Sequence, residues 1–240
     1  MRLVFGLQPV RESIRAHRTH VERVFVEQGS SAKLAALARF ARDQGVAVEI
    51  VRRADIERQA GTVHHQGVMA IAPDLELVDL DALEVSPSSV FLVLDEIQDP
   101  QNFGAVIRSA VALGAQAVVW AEHASAPLSP ATFRASAGAI EHARLCRVGS
   151  LVSALQKLAS AGATAVALDP TGADQLWSVD LTGPVSLVIG SEGKGIRKSV
   201  RAACERHARL PMSGPVESLN ASVAAALALF ETARQRAPVR

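Results

Sequence analysis

Leu187-Val188-Ile189-Gly190-Ser191-Glu192-Gly193-Lys194-Gly195 is an apolar run that enters a loop with three glycines in six residues. Such a run, free of polar interruption, reads as a short strand covered on both faces, and its glycine-rich exit lets a ligand approach the backbone closely. The familiar nucleotide loops do not fit it. Gly190 and Gly195 have phosphate-loop spacing, but Ile196 and Arg197 occupy the positions where that motif requires Lys and Ser or Thr. The dinucleotide fingerprint fails as well. After the strand expected at residues 90–95 the chain continues Glu96-Ile97-Gln98, so the glycine-rich turn of an ordinary Rossmann methyltransferase is also missing.

Working outward, short apolar runs predict further strands at residues 117–121, 164–169 and around 209–212. Helical periodicity appears near 102–113, 151–159 and 219–236. This alternation argues for a mainly parallel sheet covered by helices. The first seventy residues repeat the pattern on a smaller scale, with helices expected at 8–17 and 32–44 and strands at 21–26, 46–51 and 68–72. Between the two series, residues 74–86 carry five acids and no base, and residues 73–89 show no steady period. The expected organisation is a small α/β domain at 1–73, an acidic linker at 74–89 and a larger α/β domain at 90–240.

The chain has 240 residues, 49% hydrophobic and 20% charged, with a formal net charge of +1, enough for one large or two small cores. No apolar stretch approaches the ~20 residues a membrane helix needs, and the start of the chain lacks a signal-peptide core. A cytoplasmic protein with no membrane association is therefore expected. Cys146 and Cys204 lie far apart without Cys-x-x-Cys spacing, which predicts buried, reduced thiols and neither a disulfide framework nor a zinc site. Net charge does not announce a polyanionic partner, but its distribution is uneven. Residues 1–73 carry eleven Arg and Lys against seven Asp and Glu. Lys194, Arg197, Lys198, Arg201, Arg206 and Arg209 face only Glu205 locally, a cluster suited to phosphates or, alternatively, an ordinary solvated helix face.

Two more segments stand at strand ends, where α/β proteins build their sites. In Asp99-Pro100-Gln101-Asn102-Phe103-Gly104-Ala105-Val106-Ile107-Arg108, helical side chains lean toward the N-terminus, so Arg108 is expected to lie across Gly104 and point toward Asn102. The alternative is a plain surface arginine. In Leu210-Pro211-Met212-Ser213-Gly214-Pro215-Val216-Glu217-Ser218-Leu219-Asn220-Ala221-Ser222-Val223, Ser218 is a candidate N-cap, which would put Asn220 and Ser222 in a first turn with free backbone N–H groups. The alternative is that they merely cap the helix.

Together these segments resemble the SpoU/TrmH branch of the SPOUT superfamily of RNA 2′-O-methyltransferases, whose three motifs match residues 102–108, 190–195 and 210–222 in order and spacing. Val4-Phe5-Gly6-Leu7-Gln8-Pro9-Val10 and Val63-His64-His65-Gln66-Gly67-Val68 are similar to the substrate-binding domain of members that methylate a guanosine of 23S rRNA. That domain itself resembles ribosomal protein L30e. The doubled His64-His65 departs from the single histidine of close relatives.

The resemblance implies a C-terminal SPOUT domain with a mainly parallel sheet and a deep trefoil knot, an exception to the rule against knotted connections, beside a small N-terminal L30e-like α/β domain. It implies a homodimer that uses S-adenosylmethionine, held by Gly190, Leu210, Met212 and Leu219, without a metal. Arg108 carries over as the central catalytic residue, with Asn102, Glu192, Asn220 and Ser222 around it. A guanidinium has a pKa above ~12, so Arg108 reads first as orienting the 2′-hydroxyl and stabilising alkoxide charge, and less comfortably as a general base.

RNA contacts are expected from His64, His65, Lys194, Arg197 and Lys198. The histidines are not expected to bind metal, because adjacent residues point oppositely on a strand and no third ligand accompanies them; a plain solvent-exposed pair is the other reading. With 4% aromatics and no Tyr, base-stacking platforms are disfavoured and recognition of a folded RNA shape is favoured. The expected partner is 23S ribosomal RNA or a ribosome assembly intermediate. The alternatives are tRNA ribose methylation and a non-catalytic RNA-binding protein of the same fold.

Overall fold

The computed structural model describes residues 1–29, 31–215 and 218–238. The chain divides into two compact units, Met1–Glu76 with Leu128–His142, and Leu77–Pro127 with Ala143–Arg240.

In the first unit β1 (Arg2–Phe5), α1 (Leu7–His17), β2 (Arg23–Glu27), α2 (Ala32–Asp43), β3 (Ala47–Val51), α3 (Arg53–Ala60) and β4 (Val68–Ala72) build a four-stranded sheet of order β1-β4-β2-β3. Strand alternation sorts its core into two faces. Val4, Val24, Val26, Val68 and Ala70 point to one face and meet Val10 and Ile14 of α1 and Leu34, Leu37 and Ala41 of α2. Phe5, Phe25 and Met69, their immediate neighbours in sequence, point to the other and meet Ile56 of α3.

The second unit holds β5 (Val90–Asp95), α4 (Pro100–Ala112), β6 (Ala117–Ala121), β7 (Leu145–Val148), α6 (Leu151–Ser160), β8 (Thr164–Leu168), β9 (Asp174–Gln175), β10 (Val185–Gly190), α7 (Lys198–Ala202), β11 (Arg206–Arg209) and α8 (Ala221–Arg236), while α5 (Pro130–Ala135) belongs to the first unit. Its seven strands are all parallel, in the order β7-β6-β5-β10-β8-β11-β9. Every residue of β5 and β6 is buried, as expected of strands covered on both faces. β5 and β10 pair from Val90↔Val185 to Asp95↔Gly190, so two of the three motif loops leave neighbouring strand ends. α8 packs on α4 and β10, which delivers the third loop to the same edge. This arrangement fits the deep trefoil knot implied by the resemblance.

The structure departs from expectation at several points. The strand expected around 209–212 forms earlier, at Arg206–Arg209, where Ala208 is buried between neighbouring strands. Residues 77–89 are not a free linker: Leu83 is buried in the second core, with Val78, Leu80 and Val85 packed against it. Residues 128–142 join the first unit, where the Arg2 guanidinium and His17 Nε2 (2.9 Å) both bond Glu141. Ala221, Ala225 and Ala228 of α8 are buried within their own unit. Its exposed apolar residues are Val223, Leu227 and Phe230.

Both cysteines are free and buried, and burial pushes the Cys146 thiol up to about 11 and that of Cys204 to about 12. No helix among the described residues is long and apolar enough to cross a membrane.

Candidate active site at the strand ends

Asp99 caps α4 by accepting from the backbone N–H of Gln101 (3.1 Å) and Asn102 (3.3 Å), and Pro100 presets the first turn. This fixes Asn102 at the helix start, where its Nδ2 donates to Glu192 Oε1 at 2.7 Å. Asn220 supplies the third side. Its Nδ2 donates to Asn102 Oδ1 (2.9 Å) and to Glu192 Oε1 (2.6 Å), while its Oδ1 accepts from Ser222 N (2.9 Å) and Ser222 Oγ (2.5 Å). Since a carboxylate only accepts, Glu192 sets the orientation of both amides. Three loops far apart in sequence are thereby joined in one polar network.

The cap of α8 is Asn220, not Ser218, and Ser222 is the second residue of the helix. Asn220 combines the extended backbone of a cap, φ −54° and ψ 139°, with a side-chain acceptor that reaches Ser222 N–H. Val216 and Glu217 of this motif lie outside the described residues.

The glycine loop closes on itself: Ser191 N donates to Gly195 O (3.1 Å) and Gly195 N to Ser191 O (2.9 Å). A Cβ on Gly190 would stand 2.2 Å from the Gly195 carbonyl carbon, so the loop's own backbone demands this glycine. Around Gly195 the space is open, and the constraint there is its φ of +67°. A clasp holds the loop to β5. Asp95, fully buried, accepts from Arg197 N (2.7 Å) and Arg197 Nε (2.8 Å), with Arg197 Nη2 also 2.7 Å away. The bond to Asp95 raises the Arg197 pKa. Arg197 thus serves as the counter-charge that a buried carboxylate needs, while its side chain stays 44% exposed.

The expected basic cluster shrinks for a similar reason. Arg201 pairs with Asp169, Arg206 with Asp174 (3.5 Å), and Arg209 Nη1 donates to Gly172 O (2.6 Å). These partners come from other loops and are invisible to a local charge count. Lys194 and Lys198 remain exposed, with no ion pair among the described residues. His65 is corrected: it is fully buried, its Nδ1 accepts from Gly67 N (3.0 Å), and its Nε2 lies 3.7 Å from Glu57 Oε1. His64 is exposed.

Arg108 sits exposed on α4 and makes no hydrogen bond or ion pair among the described residues, so it is not tied to Asn102. Beside the network lies a cleft lined by Gln98, Asp99, Asn102, Glu192, Lys194 and Ala221. A separate apolar groove is formed by Leu210, Pro211 and Leu219 with Trp177, Leu227 and Phe230, and Met212 is 39% exposed. Sequence reasoning missed the Asp95–Arg197 clasp and the places of Gln98 and Trp177 in the linings of the cleft and the groove. Of these, only the Asp99-Pro100 helix start near Gln98 carried a local signal.

Comparison with known proteins adds the following. A family model described as the SpoU rRNA methylase family matches residues 89–230, and one described as RNA 2′-O ribose methyltransferase substrate binding matches residues 3–78. A Bacillus subtilis protein named for the TrmH family of tRNA/rRNA methyltransferases is 35% identical over 98% of this chain and 96% of its own. The SpoU methyltransferase AviRb from Streptomyces viridochromogenes, solved in complex with the cofactor AdoMet, superposes with a TM-score of 0.80 at 28% identity, covering 98% of this chain and 90% of that one. An RNA 2′-O ribose methyltransferase structure gives 0.82 at 28% identity, covering 98% and 88%.

Proposed function

Because this chain belongs to the SpoU methylase family, we propose that it transfers a methyl group from S-adenosylmethionine to the ribose 2′-hydroxyl of a guanosine in 23S rRNA. The observation that carries the reading is the Asn102–Glu192–Asn220–Ser222 network, which unites three loops beside a cleft and an apolar groove.

Leu210, Leu219 and Met212, with the backbone around Gly190, are suited to hold the cofactor, the groove matching its apolar surface and the loop its polar edges. When bound, the cofactor supplies an electrophilic methyl on a sulfonium. The remaining chemistry belongs to the chain. Arg108, with no ion pair or hydrogen bond among the described residues, orients the ribose hydroxyl and stabilises its developing negative charge. Asn102, Glu192, Asn220 and Ser222 keep the loops in register, so that nucleophile and methyl meet in line. Lys194 and Lys198 meet RNA phosphates, and His64 contacts RNA from the first unit.

The first unit selects RNA and the second performs transfer. The homodimer implied by the family is assigned to the exposed Val223, Leu227 and Phe230 of α8, at i, i+4 and i+7; Leu227 and Phe230 also border the groove, so the second copy would cover its outer rim. A tRNA ribose is the second reading, since the Bacillus subtilis relative is named for both RNAs. The deciding experiment incubates the purified protein with labelled S-adenosylmethionine and either 23S rRNA or total tRNA, then maps ribose methylation by mass spectrometry. Label in tRNA alone would move the substrate, and label in neither would remove the reading.

A further inference from the structure

Of the eleven arginines and lysines in residues 1–73, six are paired. Arg2 meets Glu141, Arg15 meets Glu12, Arg23 meets Glu49, and Arg52, Arg53 and Arg58 of α3 meet Asp55, Glu57 and Glu27. The five with no ion pair among the described residues are Arg11, Arg18, Lys33, Arg39 and Arg42, and all are exposed. They are not scattered. Arg11 lies on α1 and Arg18 ends it; Lys33, Arg39 and Arg42 lie on α2. Both helices cover the same face of the sheet, opposite the self-neutralised α3. On α1, Arg11 and Arg15 stand one turn apart, and Arg18 follows at the C-terminal end of the helix. The Arg11 guanidinium stands 5.9 Å from the Phe40 ring centroid of α2, so the two helices lie side by side on that face.

We propose that this α1–α2 face docks the phosphate backbone of the RNA substrate, an inference that rests on the RNA reading above and assigns it to a surface other than the His64 loop. Among the described residues, the exposed large hydrophobics of the first unit are Met1, Leu3, Ile50 and Val63, none of them on α1 or α2. The face therefore lacks the apolar anchors that a protein hot spot or a membrane-surface helix requires. A surface of arginines without such anchors fits a polyanionic backbone, read by position and not by base.

The test replaces Arg18, Arg39 and Arg42 together by Gln in the full chain, with Arg52, Arg53 and Arg58→Gln on α3 as a control of equal charge loss. Binding to purified 23S rRNA is measured against salt. For the α1–α2 variant the slope of log K against log salt should become shallower by about 2 to 3, since each lost phosphate contact removes about 0.7 to 0.9. KM for RNA should rise while kcat and S-adenosylmethionine binding stay near the parent's. The control should keep the parent slope. If the triple variant melts early, Arg18→Gln alone should still lower the slope by about 1.

An unchanged slope, or an equal loss in the α3 control, overturns the assignment. So does loss of binding to phosphatidylserine vesicles with RNA binding intact, which would give the face to a membrane. Should the parent methylate no RNA at all, the functional reading fails, yet the binding slopes still decide the surface.

Discussion

Asn220 Nδ2 lies 2.6 Å from Glu192 Oε1 while the other end of the same amide caps α8. One side chain thus both starts the last helix and ties it to the glycine loop. The two roles can be separated. Asn220→Asp keeps a good capping oxygen but sets a second carboxylate against Glu192. It should melt near the parent temperature and lose methyl transfer by about 100-fold, in line with what misplacing catalytic groups by ~1 Å costs. Asn220→Ala should lose transfer and about 1 kcal/mol of stability as well. Thermal melts beside rate measurements read the difference; full activity in Asn220→Asp would reduce the residue to a cap.

Gly190 and Gly195 should fail for different reasons. Gly190→Ala drives a methyl into the Gly195 backbone, so the loop must open and S-adenosylmethionine binding should be lost. Gly195→Ala meets open space but forces a side chain into a left-handed conformation, at a cost of about 1 kcal/mol or more. Calorimetric titration with the cofactor should find no binding for the first and weakened binding for the second. Equal affinities would show that the loop does not shape the cofactor site.

How far the sequence discloses this architecture depends on how local the deciding forces are. β5 and β10 are legible because the apolar runs at residues 90–94 and 187–189 announce strands buried on both faces. β7 and β9, with four and two residues, are too short to show a period. Motif residues Asn102, Glu192, Asn220 and Ser222 could be picked out, but their mutual bonds could not, because they bridge separations of up to 118 residues. The structural roles of Arg197 and His65 were hidden for one reason. Each is polar and sits in a loop, and only the fold reveals that it is a partner for a buried group or is itself buried.

The acidic stretch teaches the same lesson and changes how the chain should be cut. A truncated protein beginning at Pro87 removes Leu83, Val78, Leu80 and Val85 from the second core. It should be less stable than one beginning at Leu77 by about 2 to 5 kcal/mol, the usual scale for deleting a large buried side chain. The longer form keeps residues 128–142 without residues 1–76, which they join in the first unit; it should still bind S-adenosylmethionine but lose most methylation of the natural RNA. Denaturant midpoints test the first statement and transfer assays the second; undiminished methylation would remove the first unit as the selector of RNA.

Burial of both thiols sets an alkaline limit. Their folded pKa values, about 11 for Cys146 and about 12 for Cys204, exceed the ordinary value of 9.0, so the unfolded chain loses its thiol protons first. The stability they contribute is complete below pH 9 and declines as pH rises through 11 to 12. Melting temperature should therefore fall above pH 9, less steeply in a Cys146→Ala, Cys204→Ala protein. At pH 8 iodoacetamide should modify neither thiol until denaturant is added. Rapid labelling of the native protein would contradict their burial.

Arg108 bears the central claim, because it is exposed, without an ion pair or hydrogen bond among the described residues, and assigned to the ribose hydroxyl. The most direct measurement compares parent and Arg108→Ala in single-turnover transfer from labelled S-adenosylmethionine to 23S rRNA, with cofactor affinity measured in parallel. The account predicts that the parent labels a guanosine ribose, and that the variant binds cofactor as tightly and melts at the same temperature but transfers at least 100-fold more slowly, the scale for removing one transition-state donor. Transfer by Arg108→Ala at near the parent rate would contradict it.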